Sequence, residues 1–310
     1  MKVLVTGSGG HLARVVLARL LAAPEITRLV GVDRRPGGLR HPKLREHALD
    51  VRAPELARLM AGVDAVVHMA FVLLPARGRR EEARAINVGG TQNVAALARA
   101  HGVGTLVHLS SAAVYGAWAD QPPRLAEDAP LRPLPGFAYA EDKAAVEQWL
   151  DTYEQRRDSP RLVRLRPHVI LGPNALALLR LLLRQPCYPI LADPQPLTQC
   201  VWEDDVAEAV HLALTRPVCG AYNLAAGPEL SFRDMQRLLH RLPIPVPLGL
   251  MRAAHQLAWR FTPACGEPAW SAGLRHSLVL DTRRAERELG WTGRVTTYEC
   301  LQRLFDRPRA

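Results

Sequence analysis

Short apolar runs alternate along the chain with longer stretches in which apolar residues recur every three or four positions. The runs at residues 2–6, 29–33, 48–51, 64–69 and 105–109 have the length of buried strands, and helical periodicity follows them to about residue 21, at about 54–61, at 80–101 and from Tyr139 onward. Strands alternating with helices predict an α/β fold in which a parallel sheet is covered on both faces. Ligands of such sheets bind outside the carboxyl ends of the strands, so those ends are where chemistry is sought.

The first strand runs into Gly7-Ser-Gly-Gly10-His-Leu-Ala13 and then into a helix. That order is the context a dinucleotide-binding loop requires. Gly7 permits the tight turn, Gly10 lets the backbone approach a pyrophosphate, and the small Ala13 lets helix pack on strand. Free N–H groups at the helix start would face the phosphates. The second strand ends in Asp33, an acid about twenty residues on, which suits an adenosine ribose and favours NAD. The neighbouring Arg34 and Arg35 would suit a 2'-phosphate, which keeps NADP open.

At the end of the fifth strand stands Ser110-Ser111, where a hydroxyl can donate to a substrate oxygen or simply form a turn. A proline-rich loop at 122–135, suited to cover a site mouth or merely to connect, leads to Tyr139-Ala-Glu-Asp-Lys143. Four residues apart on a helix, phenol and ammonium share a face, and an ammonium favours the phenolate. Only Lys2, Lys43 and Lys143 are lysines among 40 basic residues, so a compact ammonium stands here in a chain that otherwise uses arginine.

With 310 residues, 48% of them hydrophobic, the chain is expected to fold as one large domain or two closely joined ones. A net charge of +10 would suit nucleic acid, but the arginines are dispersed without interleaved aromatics, and no nucleic-acid partner is expected. Five cysteines lie far apart with no metal-ligand spacing, which points to a reducing compartment and no metal. The N-terminus enters a strand directly, and the apolar stretches at 176–183 and 248–261 are too short to cross a bilayer. A cytoplasmic location is therefore expected, with peripheral membrane contact permitted by the basic surface and apolar helices.

Taken together, these residues resemble the extended short-chain dehydrogenase/reductase, or NAD-dependent epimerase/dehydratase, family from residue 1 to about 305. Thr6 to Ala13 looks like its glycine loop, Asp50-Val51 like its adenine-contacting pair, and His68-Met69-Ala70 like its segment beside the cofactor. Asn87-Val-Gly-Gly-Thr91 resembles its active-site asparagine helix, Ser111 its catalytic serine, and Tyr139 with Lys143 its acid/base pair. Later landmarks are similar too: Arg166-Pro167 to Gly172, Trp202-Glu-Asp-Asp205, Tyr222-Asn-Leu and Arg287-Glu-Leu-Gly-Trp291.

The resemblance implies a Rossmann-type doubly wound sheet over residues 1–166, rejoined by 201–224, with a smaller interleaved substrate domain from 167–200 and 225–310. It implies catalysis by Ser111, Tyr139, Lys143 and Asn87. NAD would lie against Gly7, Gly9, Gly10, His11, Leu12, Asp33, Arg34, Asp50, Val51, Met69, Ala70, Leu109, Pro167 and Val169, together with Asn87, Tyr139 and Lys143. Phe71, Ser111, Ala112 and His168 would face a small-molecule substrate, and related proteins commonly form homodimers through the helices near 80–101 and 139–157.

Relatives that act on nucleotide-diphosphate sugars usually place an asparagine where this chain has Val169, and an arginine where it has Thr198-Gln199-Cys200. Apolar residues stand around the expected pocket instead: Phe71-Val-Leu-Leu-Pro75, 176–183 and a helix within 245–261 similar to that of 3β-hydroxysteroid dehydrogenase-like members. The implied reaction is hydride transfer at a secondary alcohol or carbonyl carbon of a nonnucleotide substrate, a sterol-like or other lipophilic molecule being one form. The alternatives are a nucleotide-sugar 4-epimerase or dehydratase and a noncatalytic cofactor-binding regulator.

Overall fold

The computed structural model describes residues 1–174, 187–261 and 267–305. Its centre is a seven-stranded parallel sheet: β1 (Lys2–Thr6), β2 (Arg28–Asp33), β3 (Leu44–Ala48), β4 (Ala65–His68), β5 (Thr105–Leu109), β6 (Arg161–Pro167) and β11 (Gly220–Leu224), in the order β11-β6-β5-β4-β1-β2-β3. The order reverses at β1, so the crevice between the ends of β1 and β4 is the topological switch point. Thr6 pairs with His68 there, and Leu109 with Leu165 further along the same edge. The glycine loop, the 68–71 segment and Ser111 are thereby brought to one side of the sheet.

Period-two alternation sends successive side chains to opposite faces. Val3, Val5, Val67, Val107 and Leu165 pack beneath α1 (His11–Leu21) and the Glu203–Thr215 helix, where Ala285, Leu289 and Trp291 join them. Leu4, Val30, Val66, Leu106 and Leu162 face α2 (Leu56–Met60), α4 (Gly90–Ala100) and α5 (Ala138–Glu154). Between α3 (Arg80–Arg84) and α4, a π-helical turn at Ala85–Gly89 carries Asn87. The third strand lies at 44–48 rather than 48–51: as the sheet's edge it buries little besides Leu44, so its sequence, Leu-Arg-Glu-His-Ala, lacks an apolar run.

Beyond the sheet, β7 (Val169–Leu171) pairs in parallel with β10 (Cys200–Trp202), β8 (Cys187–Leu191) in parallel with β13 (Leu242–Val246), and β9 (Leu197–Thr198) antiparallel with β12 (Leu230–Ser231). A helix at Leu248–Phe261 follows β13. The apolar stretch at 176–183 lies outside the described residues. No helix among the described residues is long and apolar enough to cross a membrane. The proline-rich loop packs inward at Leu125, which bridges Leu280 and sits buried beside Val114 and Tyr115.

Candidate active site

The glycine loop has the shape its composition requires. Gly7 has φ +74°, and a Cβ there would come 2.6 Å from the Ala70 backbone nitrogen; at Gly10 a Cβ would meet the Gly7 carbonyl oxygen at 3.1 Å. Helix α1 follows Gly10, whose own N–H donates to the Gly7 carbonyl at 3.0 Å, and it has no side-chain cap and no acid in its first turn, so the N–H groups from His11 onward have no capping side chain. The Ser8 hydroxyl, buried in the same loop, has no partner among the described residues. A close-approach cradle, uncapped N–H groups and an unused donor fit a dinucleotide pyrophosphate. Asp33 accepts from the Gly9 N–H (3.2 Å) and the Arg35 N–H (2.8 Å), so it tethers the loop. Asp50 is held by the Arg52 guanidinium at 2.8 and 2.9 Å, and Val51 is buried against Gly90. His11 and Arg34 are exposed, Leu12, Met69 and Ala70 half-buried.

Ser111, Tyr139 and Lys143 meet at the carboxyl end of β5. Ser111 caps the short 3-10 turn Ala112–Tyr115, its Oγ accepting from the Ala113 N–H at 3.2 Å. Tyr139 sits in the first turn of α5. Burial pushes its phenol above the ordinary value, and a side-chain hydrogen bond with Ser111 works in the opposite direction. Lys143 is buried, its Nζ donating to the Leu109 carbonyl and lying 3.6 Å from the centroid of the Phe71 ring. Desolvation pushes its amine down to about 7, against the attraction of Glu147. The ammonium is 5.9 Å from the Tyr139 ring. The expected lowering of the phenol by its lysine is thus not realised: desolvation dominates both groups, and the amine is directed at Leu109 and Phe71.

Two aromatic rings flank the phenol. Phe71 stands edge-on to it at 5.5 Å between centroids, and Phe137 is tilted against it at 5.8 Å. The loop carrying Phe71 is fixed by Asn87, whose Oδ1 accepts from the Val72 N–H (2.7 Å) and whose Nδ2 donates to the Val72 carbonyl (3.2 Å) and to Asp142 (3.0 Å). Asp142 also receives Arg84 at 2.8 Å. The Asn87 amide is therefore occupied by the protein, and its observed action is to lock the Phe71 loop to the helix bearing Tyr139. Beneath it, Thr91 donates to the Asn87 carbonyl (2.6 Å) and contacts His68 Nε2 (2.9 Å), while His68 Nδ1 contacts Thr6 Oγ1 (2.7 Å).

A buried ionic network that the motif reading missed supports the floor. Arg166 engages Glu147 through Nε at 2.9 Å and through its terminal nitrogen at 2.5 Å, and donates to the Tyr115 hydroxyl at 2.6 Å. Ser110 also donates to Glu147. Burial opposes ionisation of Glu147, yet the hydrogen bonds and charge of Arg166 hold its carboxyl below the ordinary value. The signal was available: acids at 147, 151 and 154 share one face of α5, opposite Arg164 and Arg166 on alternate positions of β6.

His168 does not offer a free nitrogen to a substrate. Its Nδ1 accepts from the Val169 N–H (2.8 Å) and its Nε2 lies 3.1 Å from the Leu278 carbonyl. Pro167 is buried, whereas Val169 is 44% exposed. Gln199 is buried and accepts from the Leu280 N–H at 2.8 Å, and Cys200 is buried. No group of three or more metal-ligating side chains occurs among the described residues.

Three buried imidazoles share one consequence. Burial pushes His68 down to about 3, His168 to about 4 and His108, stacked 5.5 Å from His68, well below its ordinary value. The native state then keeps all three neutral while the unfolded chain takes up protons near pH 6.5, so stability is lost as pH falls below about 6.5. The loss approaches about 4 kcal/mol per pH unit once three unfolded-state imidazoles are charged. Denaturation midpoints measured between about pH 7 and pH 5 should fall steeply; a flat profile there would contradict neutral burial.

Residues 3–225 match the family described as NAD dependent epimerase/dehydratase. The chain belongs to that family. In the NAD-dependent epimerase/dehydratase family NAD is the cofactor, in agreement with the fit of the glycine loop. Curated relatives include a 4-hydroxy-2-methyl-3-oxo-4-farnesyl-3,4-dihydroquinoline-1-oxide ketoreductase of Stigmatella aurantiaca, 30% identical over 336 residues that cover 98% of this chain and 96% of the relative. A 2-alkyl-3-oxoalkanoate reductase of Stenotrophomonas maltophilia is 29% identical, covering 98% of each. Among solved structures, the UDP-glucuronic acid 4-epimerase of Bacillus cereus with UDP-glucuronic acid and NAD superposes with a TM-score of 0.77, at 20% identity over 99% of this chain and 98% of that one. At that identity the likeness concerns the fold.

Proposed function

We propose that this family member is an NAD-dependent oxidoreductase that interconverts a secondary alcohol and a ketone on a lipophilic, nonnucleotide substrate. The observation that carries the reading is the aromatic enclosure of Tyr139 by Phe71 and Phe137, with no cation at 198–200 to meet a diphosphate. A diphosphate wants fixed donors and positive charge, whereas rings packed on the reactive phenol favour apolar substrate around the reacting carbon. The ketoreductase and reductase relatives, whose named substrates carry farnesyl or alkyl groups, support the same class.

Tyr139 would transfer the proton, giving it to the carbonyl oxygen in reduction or taking it from the hydroxyl in oxidation. Ser111, which hydrogen-bonds the phenol, would share the same substrate oxygen. NAD, when bound, would supply the hydride chemistry and, in its oxidised form, a positive charge beside the phenol. Gly7, Gly10 and the open end of α1 would hold its pyrophosphate, Asp33 the adenosine ribose and Lys143 the nicotinamide ribose. Phe71 and Phe137 would limit water around the phenol once substrate is bound.

A thermal-shift and turnover screen with NAD, NADH, NADP, NADPH, UDP-sugars and a panel of alkyl, prenyl and polycyclic ketones and their alcohols tests this. Stabilisation by NAD or NADH, with NADH-dependent reduction of an apolar ketone or NAD-dependent oxidation of its alcohol, is the expected result. Strong stabilisation by a UDP-sugar would replace this reading with a sugar epimerase or dehydratase. Cofactor binding with no turnover of any class would indicate a regulator.

A further inference from the structure

We infer that the surface formed by β13 and the Leu248–Phe261 helix is a docking face for an anionic lipid bilayer. Among the described residues, six of the ten exposed large apolar side chains fall between 238 and 261: Leu238, Leu242, Ile244, Leu250, Leu257 and Phe261. Such side chains scattered singly need no explanation, but a concentration in one short stretch does. Leu250, Leu257 and Phe261, at 63, 57 and 81% exposure, are spaced i, i+7, i+11 and so lie on one side of the helix. Leu248, Met251, Ala258 and Trp259, on other sides, are half-buried, and no residue of the helix is fully buried. The helix therefore presents its apolar stripe outward.

Charge selects the occupant. Residues 232–261 contain five arginines and one acid, Asp234, within a chain of net charge +10. Arg252 and Arg260 are exposed on the helix itself. A second copy of the chain would set this positive surface against its own like, whereas anionic headgroups complement the arginines while the acyl boundary receives the leucines and phenylalanine. The face also adjoins the site: the loop that carries Phe71 continues to Arg77, whose guanidinium donates to the Arg260 carbonyl at 3.4 Å. A substrate dissolved in lipid would then be held near the loop that carries Phe71.

The test is co-sedimentation of the full chain with vesicles of phosphatidylcholine alone and of phosphatidylcholine mixed with phosphatidylglycerol, at low and high salt. Binding should be about tenfold or more stronger with phosphatidylglycerol and should weaken with salt. A triple substitution, L250E with L257E and F261E, should abolish it and leave the thermal midpoint near that of the parent, since these side chains are exposed. Absence of binding to the anionic vesicles at low salt overturns the inference. So does a concentration-dependent dimer, seen by light scattering, that the same triple substitution dissolves. Vesicle binding requires neither NAD nor turnover, so it can fail while the proposed reaction stands, and the reverse.

Discussion

Replacing Tyr139 by phenylalanine is expected to lower kcat by about 10²–10⁴-fold while NAD affinity stays essentially unchanged. The substitution removes one oxygen and keeps the ring that packs edge-on against Phe71 at 5.5 Å, so neither the loop nor the helix has cause to move. Burial already pushes this phenol up, which keeps it protonated and ready to act as an acid toward a ketone. Turnover of the ketone identified by the screen, together with a fluorescence titration of NAD, checks both halves. Near-normal turnover in the variant would remove Tyr139 from the reaction.

The second large effect is structural. Glu147→Ala should cost about 3–5 kcal/mol of unfolding free energy, because it leaves the Arg166 guanidinium buried without its carboxylate. Glu147→Gln keeps the shape and a hydrogen-bonding oxygen and should cost less. In both variants the attraction that supports the Lys143 ammonium is gone, so the amine should fall further below its present value of about 7. Chemical denaturation measures the first effect. A loss for the alanine variant of less than about 1 kcal/mol would mean that the network is not a support.

Motifs that require one residue type at one backbone position were readable from the chain. Gly7 is needed because its Cβ would strike Ala70, and Ser111 stands where a strand ends in a capped turn. The strands with two buried faces were equally plain, as unbroken apolar runs. The edge strand β3 was not, because with one buried face it needs only Leu44, and β13 is disguised by Pro243 and Pro245 within it. Residue roles were harder to read than residue places. Asn87 and His168 stand on the expected elements, but their polar atoms are committed to Val72, Asp142, Val169 and Leu278, and no linear pattern reveals which partner a side chain will take. The direction in which Tyr139 and Lys143 shift depends on how deeply the fold buries them, which spacing alone does not contain.

One carboxamide fastens the Val72 backbone at both its N–H and its carbonyl and also reaches Asp142, so the Phe71 loop and the helix that bears Tyr139 share a single polar anchor. On the proposed reading, a change in the segment around Phe71 that admits a bulkier ketone is expected to shift Tyr139 as well, so that substrate range and turnover are coupled through the Asn87 anchor.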